Sequence, residues 1–185
     1  MITYGIAFTG HRPPRLGVAY DDETSVTIQK IKSWMLFMLH DLVSKVPKGT
    51  AVTCYTGGAL GTDTWAAEVV QEYRESPLLP SQVVTFQHTL VLPFAGMEKR
   101  WPLKKTRENF KRIYEAADEA LELYEEYKGP SIYIERDRYM VNHCNALLAV
   151  WDGQQKGGTW KTVDYARTFR PEVNIFRLDP ATLSD

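Results

Sequence analysis

The chain has 185 residues, 44% hydrophobic and 24% charged, which is the balance of a folded globular domain and not of a disordered or fibrous chain. Its 22 Lys and Arg against 23 Asp and Glu leave a formal charge of -1, which argues against non-specific binding to duplex DNA but allows a local basic pocket. Two cysteines, Cys54 and Cys144, exclude a disulfide framework, no apolar run nears the roughly 20 residues of a membrane span, and no basic signal-peptide stretch opens the chain.

A cytoplasmic protein with one domain over residues 1–185 is therefore expected, and a homo-oligomer is compatible with it. Ile2 to Phe8 reads as a buried strand that ends in Thr9-Gly10, and residues 11 to 22, with Pro13, Pro14 and Gly17, as a surface loop. From about Glu23 to Val46, Ile28, Ile31, Met35, Met38 and Leu42 recur every three or four residues, one face of a helix that Pro47-Lys48-Gly49 stops. Thr50 to Tyr55 is a second strand, and a helix starting near Thr62 carries Trp65, Ala66, Val69, Val70 and Tyr73 as its buried stripe.

Further on, Thr89 to Leu92 reads as a strand, Thr106 to Ala117 as a helix, and Glu119 to Tyr124 as a short strand. A helix over 134 to 144 precedes Ala146 to Trp151, the most apolar strand of the chain. A helix from about Thr159 to Phe169 and a strand over Val173 to Leu178 follow. Alternating strands and helices predict an α/β, Rossmann-like, three-layer fold with a mostly parallel sheet. Right-handed crossovers put the strand-to-helix loops at one sheet edge, where sites of such folds lie. Three loops are selected: 9 to 12, 56 to 63 and 152 to 159.

The loop Gly57-Gly58-Ala59-Leu60-Gly61 has a strand before it and an amphipathic helix after it. Glycines allow an anion close to the backbone amides, and a helix N-terminus adds unpaired N–H donors and partial positive charge. No Gly-Lys-Ser/Thr follows, so this is not a Walker A loop. A second reading stays open, in which the glycines make a tight turn and Thr62 or Asp63 caps the helix.

Gly157-Gly158-Thr159 repeats the arrangement after the most apolar strand, with Thr159 or Thr162 placed to bond a phosphate oxygen or to cap the helix. Two such loops in one sheet favour a nucleotide-sized ligand bearing phosphate. In the first loop, Thr9-Gly10-His11-Arg12, Gly10 permits close approach, Arg12 offers a planar fork for phosphate, and His11 can donate or act as acid or base.

Lys99-Arg100-Trp101, with Lys104, Lys105 and Arg107, is either a solvated face or a segment closing over a ligand with Trp101 on a base. Arg136, in Glu135-Arg136-Asp137-Arg138, either serves the site or pairs along its helix. His40 and His88 read as structural, and Glu115 to Glu126 as solvated surface. No metal site is expected, because the cysteines and histidines never fall at ligand spacing. Neighbours His143 and Cys144 face different directions and do not form a nucleophile pair.

Thr9-Gly10-His11-Arg12-Pro13 with Leu16, Gly57 to Asp63 with Trp65-Ala66-Ala67-Glu68, Arg136 to Val141, and Trp151-Asp152-Gly153 through Gly157-Gly158-Thr159, Thr162 and Ala166 together resemble the YpsA family of the SLOG superfamily. The match runs from about Ile2 to Phe176. Kin of that family include DprA/Smf and the LOG phosphoribohydrolases. The resemblance implies a Rossmann-like fold and a site for a nucleotide derivative such as an ADP-ribose-like, NAD-related or signalling molecule, with no settled reaction. The LOG enzymes have a catalytic glutamate where Thr162 stands here, and a threonine cannot replace it. The chain also has Asp137, Asn142 and Asn145 where the YpsA pattern has Asn, Asp and Asp.

The first functional expectation is a sensing or sequestering module. Thr9, Gly10, His11, Arg12, Gly57, Gly58, Ala59, Gly61, Gly157, Gly158, Thr159 and Thr162 would surround the ligand, and Asp63 or Asp152 would meet a ribose hydroxyl. The alternatives are a nucleotide-processing enzyme of N-glycosidase or phosphohydrolase type, with His11, Asp63 or Asp152 as acid–base candidates, and single-stranded DNA binding around Arg100 and Trp101. On the first reading, Gly58→Val abolishes binding without unfolding the chain.

Overall fold

Apolar runs bounded by glycine and proline become strands, and three-to-four periodic segments become helices, in the order the sequence predicts. The computed structural model describes residues 1–22 and 24–183. Glu23, where the sequence places the start of the first helix, and Ser184 and Asp185 lie outside the described residues.

The elements are β1 (Ile2–Gly10), α1 (Val26–Ser44), β2 (Thr50–Thr56), α2 (Thr62–Arg74), β3 (Val83–Leu92), α3 (Lys104–Ala116), β4 (Glu119–Glu122), α4 (Ser131–Asn142), β5 (Ala146–Val150), α5 (Gly157–Phe169) and β6 (Asn174–Leu178). Ser25 caps α1, its hydroxyl accepting from the Ile28 amide at 3.5 Å. All strand pairings are parallel, in the order β4-β3-β2-β1-β5-β6.

Both faces of the sheet are covered, so strand residues alternate between two cores. Ile6, Phe8, Val52, Leu148 and Val150 pack with Ile31, Met35 and Leu39 of α1 and Val69, Val70 and Tyr73 of α2. Ala7, Val91 and Leu147 pack with Met140 and Val141 of α4 and Ala166 of α5. Leu90 and Leu92 meet Phe110 and Ile113 of α3. Each large aliphatic or Phe side chain fully buried among these contributes about 1.5–3 kcal/mol by leaving water, and the alanines less. Truncating Phe8 to Ala would cost about 3–5 kcal/mol.

One strand is longer than the sequence suggests: β3 starts at Val83 and not at Thr89. Gln87 and His88 interrupt the apolar run, yet His88 is fully buried. Its ring meets Thr56 Oγ1 at 2.7 Å and Gln71 Nε2 at 3.1 Å, so the polar side chain stays satisfied inside the sheet. Burial, helped by nearby Arg74 and only partly opposed by Asp118, brings its pKa down to about 4.

The sheet order reverses at β1, which lies between β2 and β5. Chain leaving β1 and chain leaving β5 therefore diverge from a shared edge, and a crevice opens between them.

Candidate functional site

A cleft of about 280 Å³ occupies that crevice. It gathers Thr9 and Gly10 at the end of β1 with His11 and Arg12 after it, Ala59 and Asp63 around the start of α2, and Gly158 and Thr159 at the start of α5. Arg136 also lines it, as do Leu60 of the second loop and Asp137 beside Arg136, together with Arg15 and Tyr133, which the sequence does not single out. A second compartment shares Arg12, Ala59, Leu60 and Tyr133 and reaches Met97, Arg100 and Trp101.

Other predicted residues shape the cleft from behind. Gly10 packs on Thr62, and Gly61 packs on Pro13. The Thr62 hydroxyl donates to the His11 carbonyl at 2.8 Å, tying the first loop to α2. A Cβ on Gly57 would overlap the Arg136 guanidinium. Gly58, at φ 71, faces inward, where a Cβ would meet Leu92 Cδ2 at 2.6 Å and Phe110 at 3.2 Å. The reading of Gly58→Val as a clean binding variant is therefore corrected: it strains the backbone and intrudes on the core.

Gly158 behaves differently. A Cβ there would meet no atom within 4 Å outside its own helix turn, so packing does not require glycine, while the adjacent Thr159 is buried and lines the cleft. Neither α2, entered through Gly61, nor α5, entered through Lys156 and Gly157, has a side-chain cap. In the first turn of α2 the Thr64 amide donates to the Ala59 carbonyl at 3.2 Å, which leaves the amides of Thr62 and Asp63, with those of Gly157, Gly158 and Thr159 in α5, without an intrahelical or side-chain acceptor among the described residues.

Two charge clusters reach the cleft, one through Asp63, Arg136 and Asp137 and the other through His11 and Arg15, with Asp152 behind them and outside the lining. Arg136, only 5% exposed, donates to Asp63 Oδ2 at 2.9 Å and to the Gly57 carbonyl. Its Nε stands 2.8 Å from Asp137 Oδ1 at an angle that makes no hydrogen bond. Burial pushes the Asp137 carboxyl up. Arg136 and the Thr162 hydroxyl, which donates at 3.0 Å, pull it down without reversing the shift, and nearby Asp63 adds to the rise. Arg136 lines the cleft, and its guanidinium pairs with Asp63 of α2 in the cleft floor.

The second cluster joins β1 to β5. His11 Nε2 lies 3.1 Å from Asp152 Oδ1, and Arg15 holds Asp152 Oδ2 at 2.7 Å through Nη2 and 2.9 Å through Nε. On its other side, His11 Nδ1 meets Thr159 Oγ1 at 3.3 Å. Burial pushes the Asp152 carboxyl up, but the Gln154 amide, Arg15 and His11 outweigh it and bring the pKa down to about 2. His11 is moved below its usual value by burial, against the opposing pull of Asp152. At neutral pH the imidazole is neutral and the carboxylate ionised.

In the second compartment the Arg100 guanidinium lies over the Tyr127 ring at 4.2 Å and Phe94 at 5.8 Å. Trp101 packs edge-on to Phe110 at 5.2 Å. Elsewhere His40 Nδ1 meets Tyr73 Oη at 3.0 Å, and Cys144 is buried with its thiol pushed up to about 12. Among the described residues no helix is long and apolar enough to cross a membrane.

Residues 6–183 match the YpsA family model, described as the YspA SLOG family. The chain is 29% identical over 165 residues to the SPbeta prophage-derived protein YoqJ of Bacillus subtilis (strain 168), covering 83% of this chain and 90% of that protein. It is 29% identical over 154 residues to a UPF0398 protein of Bacillus pumilus, covering 82% of this chain and 75% of that one.

In three dimensions it is similar to DNA processing protein A from Streptococcus pneumoniae, at TM-score 0.55 and 13% identity, over 95% of this chain but 50% of the other. The corresponding protein from Helicobacter pylori matches at TM-score 0.54 and 16% identity, over 94% of this chain and 64% of that one. The chain thus spans one half to under two thirds of those structures, and the likeness concerns the fold. The family match covers nearly all of the chain: it belongs to the YpsA SLOG family.

Proposed function

We propose that the cleft binds a nucleotide or nucleotide-derived ligand through its phosphates, and that the chain acts as a sensing or sequestering module. The observation that carries this reading is the convergence of two helix N-termini without side-chain caps, those of α2 and α5, on one cleft beside Arg12. Amide donors and helix dipoles favour an anion there, and Arg12 adds a bidentate fork. The open space at Gly158 leaves a phosphate oxygen room to reach the α5 amides. Tyr133, shared by both compartments, offers a ring face to a base on the Trp101 side.

Calorimetric titration with ADP-ribose, NAD and a cyclic dinucleotide tests the reading, alongside native mass spectrometry of freshly purified protein. Heat from at least one ligand, or a nucleotide released on denaturation, supports it. No heat from any of the three and no co-purified nucleotide refutes it.

A second reading is single-stranded DNA binding. DNA processing protein A of Helicobacter pylori has a single-stranded DNA binding mode of its own. Here Arg100 and Trp101 beside the cleft provide the cation and the ring that such binding uses. Affinity for a short oligonucleotide that is indifferent to salt would exclude a backbone-dominated mode.

A further inference from the structure

We propose that Thr159 is a nucleophile activated by His11 and oriented through Asp152, and that the cleft can take a phosphoryl group from a phosphoanhydride ligand onto the Thr159 hydroxyl. The proposal rests on the phosphate-binding reading and adds a reaction to it. It stands on a continuous hydroxyl–imidazole–carboxylate chain: Thr159 Oγ1 to His11 Nδ1 at 3.3 Å, then His11 Nε2 to Asp152 Oδ1 at 3.1 Å.

The direction of the chain follows from charge. The Asp152 amide N–H also points at His11 Nε2 from 3.2 Å, but the full charge of the Asp152 carboxylate at 3.1 Å outweighs that dipole, because an unprotonated Nε2 would set its lone pair against the carboxylate. Nε2 therefore carries the proton and donates to Asp152. Nδ1 then presents its lone pair to the Thr159 hydroxyl, the arrangement in which an imidazole accepts a proton from a nucleophile. Arg15 fixes the far oxygen of Asp152, so the carboxylate keeps the ring in place.

Position supports the same assignment. Thr159 lies in the first turn of α5, where amides stabilise negative charge developing on a phosphoryl group. The space beside it at Gly158 is open. The Thr162 hydroxyl, one turn on, is bonded to Asp137 and to the Gly158 carbonyl, whereas that of Thr159 turns to the imidazole.

The step balances without a further reactant. The Thr159 Oγ–P bond forms, the anhydride P–O bond breaks, and the hydroxyl proton passes to His11 Nδ1 and then to the departing oxygen. Water, deprotonated by the same imidazole, hydrolyses the phosphothreonine in a second step.

A fluorophosphonate probe tests the nucleophile without knowledge of the ligand: Oγ–P forms, fluoride leaves, and the proton goes through His11 to solvent. Intact mass and peptide mapping should find one phosphonyl adduct, on Thr159, that is absent in Thr159→Val. Labelling should slow about 100-fold or more in His11→Asn, the size of a lost general base. The wild-type rate should rise with pH through a midpoint below 6.5, set by His11 with Asp152 and Arg15 as the charged groups acting on it. Asp152→Asn should move that midpoint down.

No adduct on Thr159, or labelling unchanged in a folded His11→Asn variant, overturns the proposal. If that variant does not fold, the wild-type profile decides, and a rate that does not fall on acidification at any pH where the chain stays folded overturns it equally. Nucleotide titration of the wild type separates the two readings. Binding without an adduct refutes the relay alone, whereas an adduct without nucleotide binding refutes the binding reading and the phosphoryl transfer that rests on it, with only the activated Thr159 hydroxyl upheld.

Discussion

The guanidinium of Arg136 lies in the space that a side chain on Gly57 would fill, and its Nη1 bridges the Gly57 carbonyl to Asp63 Oδ2. A glycine that in sequence reads as room for a ligand is here room for an arginine. Gly57→Ala should therefore displace a buried ion pair and lower unfolding free energy by about 2–4 kcal/mol. Arg136→Met should cost about 3–5 kcal/mol by leaving Asp63 and Asp137 without their cation. In urea denaturation the double variant should lose less than the sum of the two, because both changes break the same pair. Additive losses would contradict the coupling.

Replacing Gly158 by Asp should move stability and binding in opposite directions. A carboxylate in the first turn of α5 meets the helix dipole favourably, worth about 0.3–1 kcal/mol, and packing offers no obstacle. The same charge repels phosphate from the amides around Thr159. Thermal melting should show Tm level or raised, and calorimetry should show ADP-ribose affinity reduced. A lowered Tm would contradict the open surroundings of this position.

Arg12 is exposed above both compartments. Arg12→Ala should leave unfolding within about 0.5 kcal/mol of the wild type. Loss of its charged hydrogen bonds should weaken a phosphate-bearing ligand by about 10- to 100-fold in titration. Unchanged affinity would remove Arg12 from the site.

Acid should destabilise the fold through His88. The unfolded imidazole titrates near pH 6.5, and the buried one at about 4. Between those values the unfolded state binds the extra proton, so stability falls as pH drops through that window and the loss levels off below it. The contribution is about 3 kcal/mol, and His11, also shifted down, acts in the same direction. Urea titrations of wild type and His88→Gln at pH 7 and pH 4 should give a smaller loss in the variant. Equal losses would place the acid sensitivity elsewhere.

The fold is legible in the sequence because strands such as Ala146–Val150 are apolar throughout and helices such as α1 space apolar residues by three and four, although Leu39 and not Met38 completes its buried face. The first half of β3 is not, because periodicity cannot anticipate that Thr56 and Gln71 will satisfy a buried His88. Of the cleft, the three loops after β1, β2 and β5 are legible as glycine-bearing turns at one edge. Arg15 is hidden in a loop without periodicity, and its partner Asp152 is 137 residues away in the chain. Tyr133 is hidden because α4 starts at Ser131 and brings its first turns to the cleft, whereas Arg136 and Asp137 stand out as a charged run without showing which face of the helix they take. Gly57 and Gly58 stand out as glycines, but what stands opposite each is fixed only by tertiary packing.

The pairing of β1 with β5 makes the cleft a junction between the two ends of the chain. His11 and Asp152 are 141 residues apart in sequence and sit just beyond the ends of adjoining strands. Residues 125–128, between β4 and α4, are exposed, so a break there would separate a fragment carrying β1 to β4 from one carrying α4 to β6. Neither fragment holds both walls of the crevice. Joining them requires only the β1–β5 ladder and the helix contacts across it to form between two molecules. The cleft would then report reassembly, with ligand binding and Thr159 labelling absent from each half and returning when the halves are mixed.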